Sequence, residues 1–158
     1  MRHLTNEETP KPIVLVRQRE LDDCAVACIA MVAGVSYDEV IKETGKPEFI
    51  KCLREKRLPA RQREMNEKFN QFMFNRGFAI LPIANPTQTI RGRRYVANII
   101  IRHPETNEPS ALEHNVVIDE SGVIFNPTLE PVDPSLKLRV SVLREIVYLG
   151  DEYIIPKR

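Results

Sequence analysis

The ten residues from Cys24 to Ala33 constrain the fold of this chain more than any other stretch. They read CAVACIAMVA, small and apolar without a break, and they lie between Asp22-Asp23 and Gly34. Aspartate is favoured at the N-cap of a helix, and glycine is favoured just past its last turn. Because a helix that is apolar on all sides is normally buried, the stretch predicts a central helix around which the chain packs.

Helical signals continue to about residue 76. Ser36 to Glu39 form a capping box that predicts a second helix ending near Thr44. Pro47 fits the first position of a third helix. Residues 61–76 place apolar side chains at helical spacing and predict a fourth.

After Gly77 the pattern changes to that of strands. Residues 78–83, 93–102, 114–119 and 123–127 predict strands, with a hairpin turn at 120–122. Residues 141–148 predict a short helix capped by Ser141, and residues 152–156 predict a closing strand. Helices first and strands second indicate an α+β fold, with the helices on one side of an antiparallel sheet.

Length and composition narrow the class of protein. The 158 residues fit one domain, which we expect at 13–158 after a flexible polar arm at 1–12. A net charge of +1 gives no electrostatic reason to expect nucleic acid as a partner. No apolar run reaches about 18 residues and the N-terminus lacks a signal-peptide core, so no membrane segment is expected. An odd number of cysteines, three, argues against a disulfide framework and favours a cytoplasmic location.

Cys24 is the candidate nucleophile. It falls in the first turn of the predicted helix, where unpaired N–H groups and the helix dipole lower the pKa of a thiol. Cys28 lies one turn deeper among apolar residues, where burial favours the unreactive thiol. The alternative for Cys24 is a small core residue, because cysteine is among the most buried residue types.

His114 is the candidate base, and Asn126 is the candidate residue that orients it. His3 lies on the polar arm and His103 begins a polar loop, whereas His114 opens a strand. An antiparallel hairpin places the beginning of one strand beside the end of the next, so His114 and Asn126 are expected to be neighbours. The alternatives are a surface imidazole at a strand end and a turn asparagine before Pro127.

Gln18 precedes Cys24 by six positions. Its side chain can donate an N–H to an oxyanion beside the backbone N–H of the nucleophile. A solvated glutamine is the alternative.

One ordered set of residues spans about 18–127. Its members, in chain order, are Gln18, Asp23, Cys24, Ala30, Met31, His114, Asn115, Val116, Val117, Asn126 and Pro127. The set resembles the papain-like peptidase domains that remove double-glycine leader peptides from bacteriocins. Three positions depart from that family's usual pattern: Ala25 stands in place of glycine, Asn126 in place of aspartate, and Asn115 in place of an aromatic residue.

The resemblance implies a papain-like fold, in which the nucleophile helix of a helical N-terminal half packs on a C-terminal antiparallel sheet. It implies Cys24 as nucleophile, His114 as base, Asn126 as the orienting residue, and Gln18 with the Cys24 N–H as the oxyanion hole. No cofactor and no metal are implied.

The leading functional expectation is a free-standing cysteine hydrolase, a peptidase or isopeptidase, whose partner is a peptide or protein substrate. A thiol-dependent transferase or deamidase is a second hypothesis, because the acyl-thioester step is common to all of these enzymes. A non-catalytic papain-like binding module is a third. The sequence leaves the three open, together with the oligomeric state.

Overall fold

The computed structural model describes residues 11–84, 89–100, 114–128 and 139–150. Within these ranges the chain is α+β, as predicted, and helices precede an antiparallel sheet. The elements are α1 Cys24–Ala33, α2 Tyr37–Thr44, α3 Phe49–Arg54, α4 Leu58–Phe74, β1 Phe78–Pro82, β2 Arg94–Ile100, β3 His114–Ile118, β4 Ile124–Phe125 and β5 Arg139–Tyr148.

Helix α1 has the predicted bounds, but its N-terminus is built differently from the prediction. Asp23 occupies the N-cap position without a side-chain capping bond, while Gly34 ends the helix at φ 69° and donates its N–H to the carbonyl oxygen of Ala30. Glycine takes this left-handed conformation without the steric cost that a Cβ imposes. Most of the helix is fully buried, as its unbroken apolar sequence requires.

The other helices begin within a few residues of their predicted positions. Ser36 Oγ accepts the N–H of Glu39 at 3.1 Å, which confirms half of the predicted capping box. Helix α3 begins at Phe49 rather than at Pro47. Helix α4 begins at Leu58, earlier than predicted, because a proline is accommodated in its first turn.

The sheet has the order β1-β5-β2-β3-β4, and every neighbouring pair is antiparallel. Strand β5 therefore lies between β1 and β2, and the predicted helix at 141–148 is wrong. The segment reads RVSVLREIVY, whose β-branched residues suit a strand with neighbours on both sides. Ser141 Oγ donates to the carbonyl oxygen of Asn98 at 3.3 Å instead of capping a helix.

Apolar side chains are buried on both faces of the sheet. One face packs against α1, α2 and α4, and its cluster includes Val26, Met65, Phe72, Val96 and Val117. The opposite face carries a second cluster, formed by Tyr95, Ala97, Ile99, Val116, Ile118 and Leu143. Alternation along each strand divides neighbouring residues between the two faces.

Several expectations fall partly or wholly outside the described residues: positions 1–10 of the arm, the predicted strand at 152–156 and the loop with His103. Residues 13–18 lie in no helix or strand. None of the described helices is by itself long and apolar enough to cross a membrane, although α1 and α2, bent by 112°, meet that length and composition test as a pair.

Candidate active site

The N-terminus of α1 lies against the beginning of β3. The backbone N–H of Asn115 and its side-chain Nδ2 are each 3.4 Å from Cys24 Sγ, within hydrogen-bond reach of a sulfur acceptor. Asn115 follows His114 directly, so the fold brings the candidate nucleophile to the residue next to the candidate base. Among the described residues, Asn115 rather than His114 hydrogen-bonds to the sulfur from β3.

His114 and Asn126 are in direct contact, as the hairpin pattern predicts. His114 Nε2 lies 2.6 Å from Asn126 Oδ1. The backbone N–H of Thr128 donates to the same Oδ1 at 3.1 Å, which identifies this atom as the carboxamide oxygen. Because an oxygen accepts, Nε2 must carry the proton, and Nδ1 of the neutral ring holds the lone pair.

The surroundings of His114 favour the neutral ring. Its side chain is buried, with 7% of its surface exposed. Burial lowers the pKa of His114 below its usual value of about 6.5, and the hydrogen bond to Asn126 opposes that shift in part. The imidazole is therefore neutral at neutral pH and able to accept a proton at Nδ1.

Cys24 is more buried than its place at a helix start suggests, with 7% of its surface exposed. Burial raises the pKa of Cys24, and the hydrogen bonds from Asn115 lower it by less. The expectation of an exposed thiol with a lowered pKa is therefore wrong. At neutral pH, Cys24 therefore rests as a neutral thiol, and the His114 ring is neutral as well.

Cys28 is set apart from Cys24 as predicted. It is fully buried, and burial raises the pKa of Cys28 well above its usual value. Cys24 is thus the thiol of α1 that retains both surface exposure and hydrogen-bond donors.

Asp23 organises the turn that leads into α1, a role that the sequence did not reveal. Its carboxylate accepts the backbone N–H groups of Arg19 at 3.3 Å and Glu20 at 3.1 Å. It also accepts the hydroxyl of Tyr37. Burial and then Asp23 itself raise the pKa of Tyr37, which keeps this hydroxyl protonated and able to donate. The carboxylate therefore fixes the segment between Gln18 and Cys24.

Gln18 lies beside the segment that follows Asn126. Its backbone N–H donates to the carbonyl oxygen of Pro127 at 2.8 Å, and its side chain is only 5% exposed. Nε2 donates to the carbonyl oxygen of Glu20 at 2.8 Å, while the buried Oε1 has no partner within the described part of the chain. The glutamine is therefore not solvated, and one of its two N–H bonds is already engaged.

Sequence reasoning predicted Cys24, His114, Asn126 and Gln18 as candidate site residues but missed the contact of Asn115 with the sulfur. A signal was present, because Asn115 is a polar residue within the apolar strand HNVVI. Its side chain shares the helix-facing side of the sheet with Val117, which belongs to the cluster packed on α1.

The described ranges contain no group of three or more His, Cys, Asp or Glu side chains that could hold a metal ion. No family model, no curated protein and no solved structure matches this chain.

Proposed function

We propose that this chain is a papain-like cysteine hydrolase that cleaves a peptide or isopeptide bond. The observation that carries the proposal is the hydrogen bond between His114 Nε2 and Asn126 Oδ1 at 2.6 Å, next to a residue that holds the sulfur of Cys24. This arrangement directs Nε2 towards the orienting amide and leaves Nδ1 as the base. The resemblance of the ordered residues to bacteriocin leader peptidases supports the same assignment.

In the first half of the proposed reaction, His114 Nδ1 takes the proton of Cys24 as Sγ bonds to the substrate carbonyl carbon. The Cys24 N–H and the second N–H of Gln18 Nε2 stabilise the resulting oxyanion. The C–N bond then breaks, and the imidazolium donates its proton to the leaving nitrogen. An acyl-thioester remains on Cys24.

In the second half, His114 takes a proton from water as the water oxygen attacks the thioester carbon. The C–S bond breaks, the sulfur recovers a proton from the imidazolium, and a carboxylic acid leaves. Asn126 holds the ring in one orientation throughout, because its Oδ1 is itself fixed by the N–H of Thr128.

Alkylation with iodoacetamide at neutral pH, followed by peptide mapping, tests this proposal. Cys24, which is 7% exposed, is expected to react much faster than Cys28 and Cys52, which are 0% and 1% exposed and serve as internal controls. His114→Ala is expected to slow the alkylation of Cys24 by about a hundredfold, the lower range for loss of a general base. Equal, slow labelling of all three thiols would falsify the proposal.

A non-catalytic binding module is the second candidate, favoured by the burial of Cys24 and by the bond from Gln18 Nε2 to Glu20. The two candidates differ in the effect of Cys24→Ala, which abolishes the biological effect of a hydrolase and leaves that of a binding module intact. A transferase or deamidase is recognised by mass spectrometry of the substrate, which gains a group or exchanges an amide for a carboxylate without a backbone cut.

The proposed location is the cytoplasm, and the proposed partner is a peptide or protein substrate without a cofactor. Cys24, Cys28 and Cys52 are all free thiols, as a reducing compartment maintains them.

A further inference from the structure

The carboxamide of Gln18 is oriented by one contact among the described residues. Nε2 donates to the carbonyl oxygen of Glu20 at 2.8 Å, whereas the buried Oε1 has no partner in that part of the chain. Because a carbonyl oxygen accepts, the amide nitrogen must face it, and the second N–H of this nitrogen is left for an oxyanion. The position of the Glu20 carbonyl therefore decides where the second N–H points.

Asp23 holds the backbone that carries this carbonyl. Its Oδ1 accepts the N–H of Glu20 at 3.1 Å, and its Oδ2 accepts the N–H of Arg19 at 3.3 Å. The side chain is 1% exposed, and a buried carboxylate is stable only where donors replace its lost hydration. One rigid carboxylate thus fixes two consecutive N–H groups directly after Gln18.

Tyr37 supports the carboxylate from α2. Its hydroxyl donates to Oδ2 of Asp23, the oxygen that also accepts the N–H of Arg19. The guanidinium of Arg19 lies 4.1 Å from the centroid of the Tyr37 ring and pairs with Asp38, also of α2, at 2.7 Å. The turn before α1 is therefore fastened to α2 by a hydroxyl and by a guanidinium.

We propose that Tyr37 and Asp23 are positioning residues for the oxyanion hole. The Tyr37 hydroxyl holds the Asp23 carboxylate, the carboxylate holds the backbone of Glu20, and the carbonyl of Glu20 directs Nε2 of Gln18. The inference rests on the proposed function, because the direction of this amide matters only if an oxyanion forms at Cys24.

Two small reagents that attack the same sulfur test the proposal. In acetylation by p-nitrophenyl acetate, Cys24 Sγ bonds to the acetyl carbon, negative charge gathers on the carbonyl oxygen, and p-nitrophenolate leaves. In alkylation by iodoacetamide, Sγ displaces iodide and no oxyanion forms. His114 takes the thiol proton in both reactions. The ratio of the acetylation rate to the alkylation rate therefore reports oxyanion stabilisation separately from the supply of thiolate.

Acetylation is followed in the first turnover by the absorbance of p-nitrophenolate, with the rate of Cys24→Ala subtracted. Alkylation of Cys24 is followed by peptide mass spectrometry.

Tyr37→Phe removes the hydroxyl and keeps the ring. It is expected to lower the rate ratio about tenfold, a part of the roughly hundredfold loss expected for Gln18→Ala, which removes one oxyanion donor. The iodoacetamide rate is expected to stay unchanged. Asp23→Asn, which replaces one acceptor oxygen by a donor, is the second variant, and the same direction of change is expected. Tyr95→Phe is the matched control, because it removes a buried hydroxyl that accepts the N–H of Ile90 on the opposite face of the sheet.

Combining Tyr37→Phe with Gln18→Ala distinguishes positioning from a general structural effect. If Tyr37 acts through Gln18, the double variant has the same rate ratio as Gln18→Ala alone. A structural disturbance of the site lowers the ratio further in the double variant and also changes the iodoacetamide rate.

The outcomes separate this inference from the proposed function. A ratio that falls in Gln18→Ala but not in Tyr37→Phe overturns the positioning role and leaves the hydrolase standing. A further loss in the double variant overturns it as well. An unchanged ratio in Gln18→Ala overturns both the oxyanion role of Gln18 and its positioning by Tyr37, and unselective alkylation of the three thiols by iodoacetamide overturns the hydrolase itself.

Discussion

Asn115 supplies the hydrogen bonds that Cys24 Sγ receives from β3, one from the backbone and one from the side chain. Both favour the thiolate, against the burial that disfavours it. The family that the chain resembles usually has an aromatic residue here, which keeps the backbone donor but not the side-chain donor. Asn115 therefore compensates, in part, for the low exposure of the thiol.

Asn115→Leu tests this compensation, because leucine is similar in size but has no side-chain donor. The pKa of Cys24 is expected to rise further, and its alkylation at neutral pH is expected to slow several-fold because less of the thiol is ionised. The pH dependence of iodoacetamide alkylation, read at Cys24 by mass spectrometry, measures the change. Unchanged kinetics would show that the backbone donor is sufficient.

In the proposed reaction, protonation of His114 sets the acid limb of the pH–rate profile. Because burial lowers the pKa of His114, the base stays neutral below its usual value of about 6.5, and the rate of Cys24 labelling is expected to persist to lower pH. The hydrogen bond that His114 donates to Asn126 raises the pKa of His114. Asn126→Ala is thus expected to move the acid limb to still lower pH while it lowers the maximal rate.

The measurement is the pH dependence of Cys24 labelling by one peptidyl vinyl sulfone, compared between the unsubstituted protein and Asn126→Ala. A limb that moves to higher pH in Asn126→Ala would contradict the assigned role of Asn126. The lowered pKa of His114 also affects folding stability. Because the pKa is lower in the folded state, the contribution of His114 to stability is present above a pH of about 6.5. It is lost as the pH falls through the folded-state pKa.

At the scale of the elements, α1 and β5 show what local sequence determines. The bounds of α1 follow from its apolar run and from Gly34, both of which act within a few residues. Strand β5 was misassigned because its partners, β1 and β2, are distant in sequence. Strand preference depends on such neighbours more than on the residues themselves.

Gly34→Ala tests the local contribution at the end of α1. The position has a φ of 69°, and a Cβ added there meets no atom within 4 Å. The expected cost is therefore the backbone strain of a left-handed residue with a Cβ, about 1 kcal/mol, rather than a clash with neighbouring residues. Urea unfolding measures it, and Gly34→Asn is the control with a smaller expected loss, because asparagine tolerates the left-handed region. A loss in Gly34→Asn equal to that in Gly34→Ala would argue against this explanation.

The candidate site likewise combines contacts between residues close in sequence with contacts between residues far apart in sequence. The contact between His114 and Asn126 lies within one hairpin, so a pattern of strands and a turn was sufficient to predict it. The contacts of Asn115 and Gln18 join segments far apart in the chain. No periodicity encodes them, and the burial of Cys24 depends on how α1 meets the sheet.

At the scale of the whole molecule, the candidate site lies where the two halves of the chain meet. The N-terminal half contributes Cys24 at the start of α1 and Gln18 in the segment before it, and the C-terminal half contributes His114 and Asn115 of β3 and Asn126 just after β4. A cleft of about 270 Å³ follows the same boundary, because α1 and α4 form one wall and the sheet forms the other. The proposed chemistry thus depends on how the helices dock on the sheet.

The position of β5 has a consequence for synthesis on the ribosome. In the described sheet, β1 pairs with β5, and β5 also pairs with β2, although β1 is made first and β5 last of the five strands. A growing chain can form the hairpin of β3 and β4 early, but it cannot join β1 to that sheet until β5 has emerged. Arg144, carried on β5, arrives at the same moment. A nascent chain would therefore complete its sheet, together with the cleft that Arg144 lines, in one late folding step.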